Sequence, residues 1–139
     1  MTVVLDSNTL VQMFGRRSRF AELHRALIDG RLRIAVSTAI LLEYEEVICR
    51  YADRSRWQDV ARLLDLLGKL HGSVQFISPS FHFRTIPNDE DDDAFADCAI
   101  AADADCIITS DRHFDALIGS GYKPRPVTPE EFIRRFLTA

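Results

Sequence analysis

The sequence predicts an α/β fold whose central parallel sheet is covered on both faces by helices. Three observations carry this reading. Short apolar, β-branched runs alternate with amphipathic helical stretches along the chain, which implies right-handed βαβ units. The runs at residues 2–5 and 106–109 are apolar almost throughout, as buried parallel strands are. Each of these two runs is closed by an aspartate, Asp6 or Asp111, and parallel sheets bind their ligands beyond the carboxyl ends of the strands. At 139 residues and 47% hydrophobic, the chain suits a single domain spanning 1–139.

Taken in order, a first strand over residues 2–5 stops at Asp6-Ser7-Asn8, polar residues able to cap a helix, so Asp6 also has a plain reading as an N-cap. Leu10, Met13 and Phe14 suggest one or two helical turns before the basic loop Gly15-Arg16-Arg17-Ser18-Arg19. An amphipathic helix over 20–28 ends near Gly30, and a second strand covers 32–36. Ser37 caps a long helix over 38–51, with Ile40, Tyr44, Val47, Ile48 and Tyr51 on its apolar face. Another helix over 57–70 carries a stripe of Val60, Leu63, Leu64, Leu67 and Leu70 and stops at Gly72. A third strand covers 74–77, after which residues 78–86 carry no pattern that assigns them.

The acidic run Asp89-Glu90-Asp91-Asp92-Asp93 opens a helix over 92–102, followed by the strand at 106–109 and a short helix over 114–118. Pro126-Val127 suggests a last edge strand, and Thr128-Pro129-Glu130-Glu131 is a capping box with Pro at the first helical position, opening a terminal helix.

Two carboxylates occupy positions that a structural role explains poorly. Glu43 falls on the apolar face of its helix, where Leu would be expected, although a Glu at the edge of the stripe also reaches water. Asp97 lies well inside its helix, too far from the first turn to interact with the helix dipole. Asp93 and Asp97 are four residues apart, share one helix face, and repel unless a cation lies between them. If the first and fourth strands are neighbours, Asp6 and Asp111 meet at the crevice, and Glu43 and Asp97 project towards it.

Such a set of carboxylate oxygens, without Cys or clear His ligands, selects a hard ion such as Mg²⁺ or Mn²⁺ over zinc. One or two such ions can activate water and stabilise the leaving oxygen in phosphodiester hydrolysis. The formal charge of −4 leaves room for a nucleic-acid substrate, because six of the 21 acids lie between Asp89 and Asp97 and basic surface is free to form elsewhere. Arg16, Arg17 and Arg19 border the expected crevice and, with Arg112, are candidate phosphate contacts, although solvated loop arginines are the commoner case. Three cysteines without C-x-x-C spacing suit reduced core thiols. No run approaches the ~20 apolar residues of a membrane span, and the N-terminus opens without a basic leader, so no membrane association and a cytoplasmic location are expected.

The pattern Val4-Leu5-Asp6-Ser7-Asn8, then Ser37-x-x-Ile40-Leu41-x-Glu43-Tyr44-x-x-Val47, then Asp92-Asp93-x-Phe95-x-Asp97-x-Ala99-x-Ala101 through Ala104-Asp105-x-Ile107-Ile108-Thr109-Ser110-Asp111, resembles the PIN domain. The resemblance is to its single-domain members that act as toxins of toxin–antitoxin systems, VapC-like ribonucleases, and covers nearly the whole chain. It implies a three-layer α/β/α fold and a metal-dependent endoribonuclease acting on RNA, often a homodimer and often silenced by a cognate antitoxin. By position it implies Asp6, Glu43, Asp97 and Asp111 as the acidic quartet, Asp93 and Asp92 as auxiliary acids, and Asn8 and Thr109 as supporting polar residues. One position departs from the pattern: many relatives have an acid two residues after the last Asp, where this chain has His113.

Two other classes compete. A receiver-like phosphoacceptor would use Asp6 and Lys123, but the paired acids expected after its first strand are replaced by Asp6-Ser7, and a dehalogenase-like phosphatase would need a second acid where Asn8 stands. A non-catalytic binding module on the same fold would use its groove or the Leu63, Leu64, Leu67 helix to hold a partner.

Overall fold

β1, Thr2–Leu5, lies at the centre of the sheet, and the rest of the chain is arranged around it. The computed structural model describes residues 1–14, 20–80, 83–86 and 90–138, with the backbone alone for 90–92. After β1 come α1 (Ser7–Phe14), α2 (Ala21–Ile28), β2 (Arg33–Val36), α3 (Thr38–Tyr51), α4 (Arg54–His71), β3 (Val74–Phe76), α5 (Glu90–Ala101) and β4 (Cys106–Ile108). A 3₁₀ segment (Arg112–Leu117), β5 (Arg125–Val127), α6 (Pro129–Phe132) and a π-helical turn (Ile133–Leu137) complete it.

The five strands are all parallel, in the order β3-β2-β1-β4-β5. Connections from β1 through β2 to β3 run one way across the sheet and those from β4 to β5 the other. Right-handed crossovers therefore put helices on both faces, and the direction reverses between β1 and β4, the switch point of an open α/β sheet. Val3, Val4 and Leu5 are fully buried, as are Ile107 and Ile108, which explains why these strands read as unbroken apolar runs. β5 sits at the edge, where Pro126 costs no ladder bond that a central strand would need.

α3, α4 and α6 each start where a side chain accepts a backbone N–H of the first turn. Ser37 Oγ accepts from Ile40 at 3.2 Å, Asp53 from Arg56 at 2.8 Å, and Thr128 Oγ1 from Glu131 at 3.2 Å. The Asp53 cap starts α4 three residues ahead of the sequence expectation at Trp57. Gly72 ends α4 in the left-handed conformation, φ 62°, with nothing within 4 Å of a would-be Cβ, so it is backbone freedom that calls for glycine there.

Two expected core positions are at the surface. Tyr51, in the last turn of α3, is 71% exposed, and Leu70, near the end of α4, is 63% exposed. In both cases the apolar stripe runs past the end of the surface it packs on, and the buried faces reduce to Ile40, Tyr44 and Ile48 on α3 and Val60, Leu64 and Leu67 on α4. α5 packs on β1, β2 and β4 and against α3. Its Phe95 lies between Tyr44 and Phe114, with ring centroids 6.1 and 6.4 Å away, so one aromatic column ties α3, α5 and the 3₁₀ segment together.

Candidate active site

Asp6 follows β1 directly and is buried, and both of its oxygens are engaged. Oδ1 accepts the Thr9 N–H at 2.8 Å, so the carboxylate does cap the first turn of α1. Oδ2 accepts the hydroxyl hydrogen of Thr109, the first residue past β4. The Thr109 oxygen in turn accepts the Asp111 N–H at 2.9 Å, and Asp111 Oδ1 accepts the His113 N–H at 2.9 Å. A continuous hydrogen-bonded chain thus runs from the end of β1 to the loop after β4. The two strand ends are themselves stitched together, since the Ile108 carbonyl accepts from the Asp6 N–H at 3.3 Å and from Thr9 Oγ1 at 3.1 Å.

Tyr44 secures the same strand end from α3. Its phenol is fully buried and donates to the Leu5 carbonyl at 2.6 Å. Burial, reinforced by the neighbouring Cys98 and Asp6, holds its pKa well above the ordinary tyrosine value. Cys98 is pushed up to about 12, chiefly by burial and further by Asp97, while a hydrogen bond with Ser37 opposes the shift. Tyr44 thus feels both Cys98 and Asp6, and Cys98 feels Asp97, so these side chains share one electrostatic environment.

The second acidic group lies along α5. Asp97 is buried, and its Oδ1 accepts the Phe83 N–H at 2.9 Å; one turn earlier, Asp93 Oδ1 accepts the Ile86 N–H at 2.8 Å. The connection at 83–86 therefore lies against the face that carries both acids, and its amide dipoles offset the repulsion between them. Arg84 takes a left-handed backbone, φ 52°, between these two anchor points.

The expected residues thus fall into two hydrogen-bonded groups, Asp6–Thr109–Asp111 and Asp93–Asp97 with the 83–86 connection. Glu43 is half-buried on α3, next to Tyr44, and Asn8 is exposed on α1. Arg112 is exposed, 3.9 Å from Asp115. Arg16, Arg17 and Arg19 lie outside the described residues, as does the side chain of Asp92. Among the described residues, no group of three or more His, Cys, Asp or Glu is placed to hold a metal ion. The donor chemistry is nevertheless that of a hard-cation site: the carboxylates are held by backbone or hydroxyl donors, and each bonded oxygen has a further acceptor position. Sequence reasoning missed Thr9, Tyr44 and the 83–86 connection. Thr9 was findable as the residue three after an N-cap acid, whereas backbone donors such as those of Phe83 and Ile86 leave no residue signature.

Residues 2–113 match the PIN domain family, a stretch that takes in β1 to β4 together with Asp6, Glu43, Asp93, Asp97 and Asp111. The chain belongs to the PIN-domain family. Among solved structures, this PIN domain is similar to the VapBC2 complex from Rickettsia felis bound to a DNA fragment from their promoter, with TM-score 0.60 and 17% identity over 91% of this chain and 98% of that one. It is also similar to the T. brucei RRP44 PIN domain, with TM-score 0.51 and 15% identity over 96% of this chain and 79% of that one. Among curated proteins, no sequence matches. Among the described residues, no helix of this PIN domain is long and apolar enough to cross a membrane.

Proposed function

We propose that this PIN domain is a metal-dependent endoribonuclease that hydrolyses RNA phosphodiester bonds and is the toxin of a toxin–antitoxin pair. The observation that carries the reading is the hydrogen-bonded chain from Asp6 through Thr109 to Asp111, which sets two carboxylates at the carboxyl ends of neighbouring strands, where an α/β sheet places its chemistry. Family membership supports a nuclease. The likeness to a VapBC2 complex on DNA supports a partner protein and contact with nucleic acid, and a homodimer accords with the resemblance read from the sequence.

Asp6, Glu43, Asp97 and Asp111, with Asp93, would hold Mg²⁺ or Mn²⁺, and Asp92, Asn8 and Thr109 would support them. Such an ion, when bound, lowers the pKa of water and neutralises charge on a phosphate oxygen. The chain's own groups do the positioning. Thr109 and the Thr9 amide fix both oxygens of Asp6, Tyr44 fixes the strand end that carries it, and the buried surroundings of Asp6 and Asp97 keep bulk water from competing. Arg112, with Arg16, Arg17 and Arg19, would meet RNA phosphates.

The test is cleavage of a panel of single-stranded, hairpin and transfer RNAs by purified protein with Mg²⁺ or Mn²⁺, with chelator, and with Asp6→Asn as control. Cutting that needs the metal and falls by more than about a hundredfold in the variant is expected, the scale at which losing one electrostatic stabiliser acts. A folded protein that binds metal and cuts no RNA would turn the reading to a non-catalytic binding module, and labelling of the protein by acetyl phosphate would turn it to a receiver-like phosphoacceptor.

A further inference from the structure

Phe83 connects the acidic face of α5 to an aromatic edge that the acidic chemistry does not use. Its amide lies 2.9 Å from Asp97 Oδ1, and its ring makes an edge-to-face contact with Tyr122, centroids 5.4 Å apart at 70°. A single residue therefore spans the distance from Asp97 to the Tyr122 ring. Tyr122 is 42% exposed, and an edge-to-face contact covers at most one face of a ring, so part of this aromatic pair is accessible to a ligand near Asp97.

Arg84 is the next residue. It is exposed, makes no ion pair or hydrogen bond with another described residue, and stands on a left-handed backbone that costs a non-glycine residue about 1 kcal/mol. Its position is nonetheless fixed on either side, because the Phe83 and Ile86 amides are held by Asp97 and Asp93. A guanidinium without an ion pair or hydrogen bond among the described residues, on an anchored backbone one residue along the chain from the ring that touches Tyr122, matches with that aromatic pair the two features of a single nucleotide: an anionic phosphate and a flat base. Proteins bind single-stranded nucleic acid by this combination, stacking bases on aromatic rings while arginine tracks the backbone.

We propose that Tyr122, Phe83 and Arg84 form a single-stranded RNA subsite beside Asp97, in which a nucleobase stacks on Tyr122, Phe83 props that ring from behind, and the adjoining phosphate pairs with Arg84. The subsite deepens the ribonuclease reading and rests on it for the choice of RNA. It excludes duplex, whose bases are already stacked on one another and offer no free face.

The experiment is a binding titration that does not depend on cleavage, using fluorescein-labelled decauridylate, the same length of abasic ribose-phosphate strand, and a hairpin duplex, all on an Asp6→Asn background. Decauridylate should bind more tightly than the duplex. Tyr122→Ala should weaken decauridylate about tenfold and leave the abasic strand nearly unchanged, with Tyr122→Phe restoring binding and Tyr122→Leu failing to. Arg84→Gln should weaken both single strands and lower the slope of log affinity against log salt by about one. Unchanged decauridylate binding in Tyr122→Ala, full recovery with Tyr122→Leu, or no binding by the parent protein would overturn the subsite. RNA cleavage by the unsubstituted protein with unaltered Tyr122→Ala binding would reject the subsite alone. Tyr122-dependent binding without any cleavage would reject the nuclease alone.

Discussion

The hydroxyl of Thr109 donates to Asp6 Oδ2 across the gap between β4 and β1, and the same oxygen accepts the Asp111 amide, so one threonine fixes the Asp6 carboxylate and the backbone that carries Asp111. Replacing it separates packing from hydrogen bonding. Thr109→Val keeps the shape and removes both bonds, leaving a buried carboxylate oxygen without its donor. We expect a loss of about 1–3 kcal/mol in urea denaturation, with Thr109→Ser retaining most of the stability. A Thr109→Val protein as stable as the parent would show that the bond contributes nothing net.

Tyr44 makes a comparable contribution from α3. Tyr44→Phe removes the donor to the Leu5 carbonyl while keeping the ring against Phe95. The carbonyl it leaves is buried, so destabilisation of about 1–2 kcal/mol is expected in the same measurement. A larger loss would point to ring packing disturbed by the substitution.

The two buried thiols make stability fall in alkali. Cys98 and Cys106 are both pushed up to about 12 from an ordinary 9.0, chiefly by burial, so the folded state keeps protons that the unfolded state releases. For groups with raised values, the stability they contribute is fully present below pH 9 and is lost as pH rises towards 12. Each thiol should steepen the decline towards about 1.4 kcal/mol per pH unit. Urea titrations at pH 8, 9 and 10 should show the slope flatten in Cys98→Ala and Cys106→Ala, compared with each variant's own stability at pH 8.

Asp97 holds the Phe83 amide, and the two ways of removing its charge should differ. Asp97→Asn keeps an acceptor oxygen, whereas Asp97→Ala does not. Hydrogen exchange at the Phe83 amide should quicken roughly tenfold in Asp97→Ala, the equivalent of a bond of ordinary net strength, and stay slow in Asp97→Asn. Equal exchange in the two variants would mean that the amide is protected by something other than this carboxylate. RNA cleavage, by contrast, should fall in both if Asp97 serves the metal.

How far the sequence could be read depended on whether a feature was carried by side chains at fixed spacing. The Thr128-Pro129-x-Glu131 box did mark the start of α6, because the cap is a local hydrogen bond. β1 and β4 were recognisable because buried parallel strands are apolar on both faces, and their pairing brought Asp6 towards Asp111 as that reading required. Asp53 was passed over as the cap of α4 because Arg54-Ser55-Arg56 delays the first apolar residue to Trp57. Asp97 was picked out as an acid that repels Asp93 unless a cation lies between them, but one donor the structure gives it is the Phe83 amide, which no side-chain pattern could have supplied. Tyr51 and Leu70 show the opposite failure: periodicity continues to the end of a helix, while the neighbour it packs on stops sooner.

The central place of β1 also sets an order of events during synthesis. One flank of β1 is covered by β2, which follows soon in the chain, but the other waits for β4, and Thr109 lies 103 positions after Asp6. Closing so long a loop is slow, and until it closes the first strand keeps a bare apolar edge. A nascent or truncated polypeptide that stops before Cys106 carries Asp6 without Thr109 or Asp111, and so has no crevice. On the ribonuclease reading, the producing cell's own RNA is therefore safe from a chain that has not yet reached Asp111, because the carboxylates meet only once β4 and the loop after it have been made.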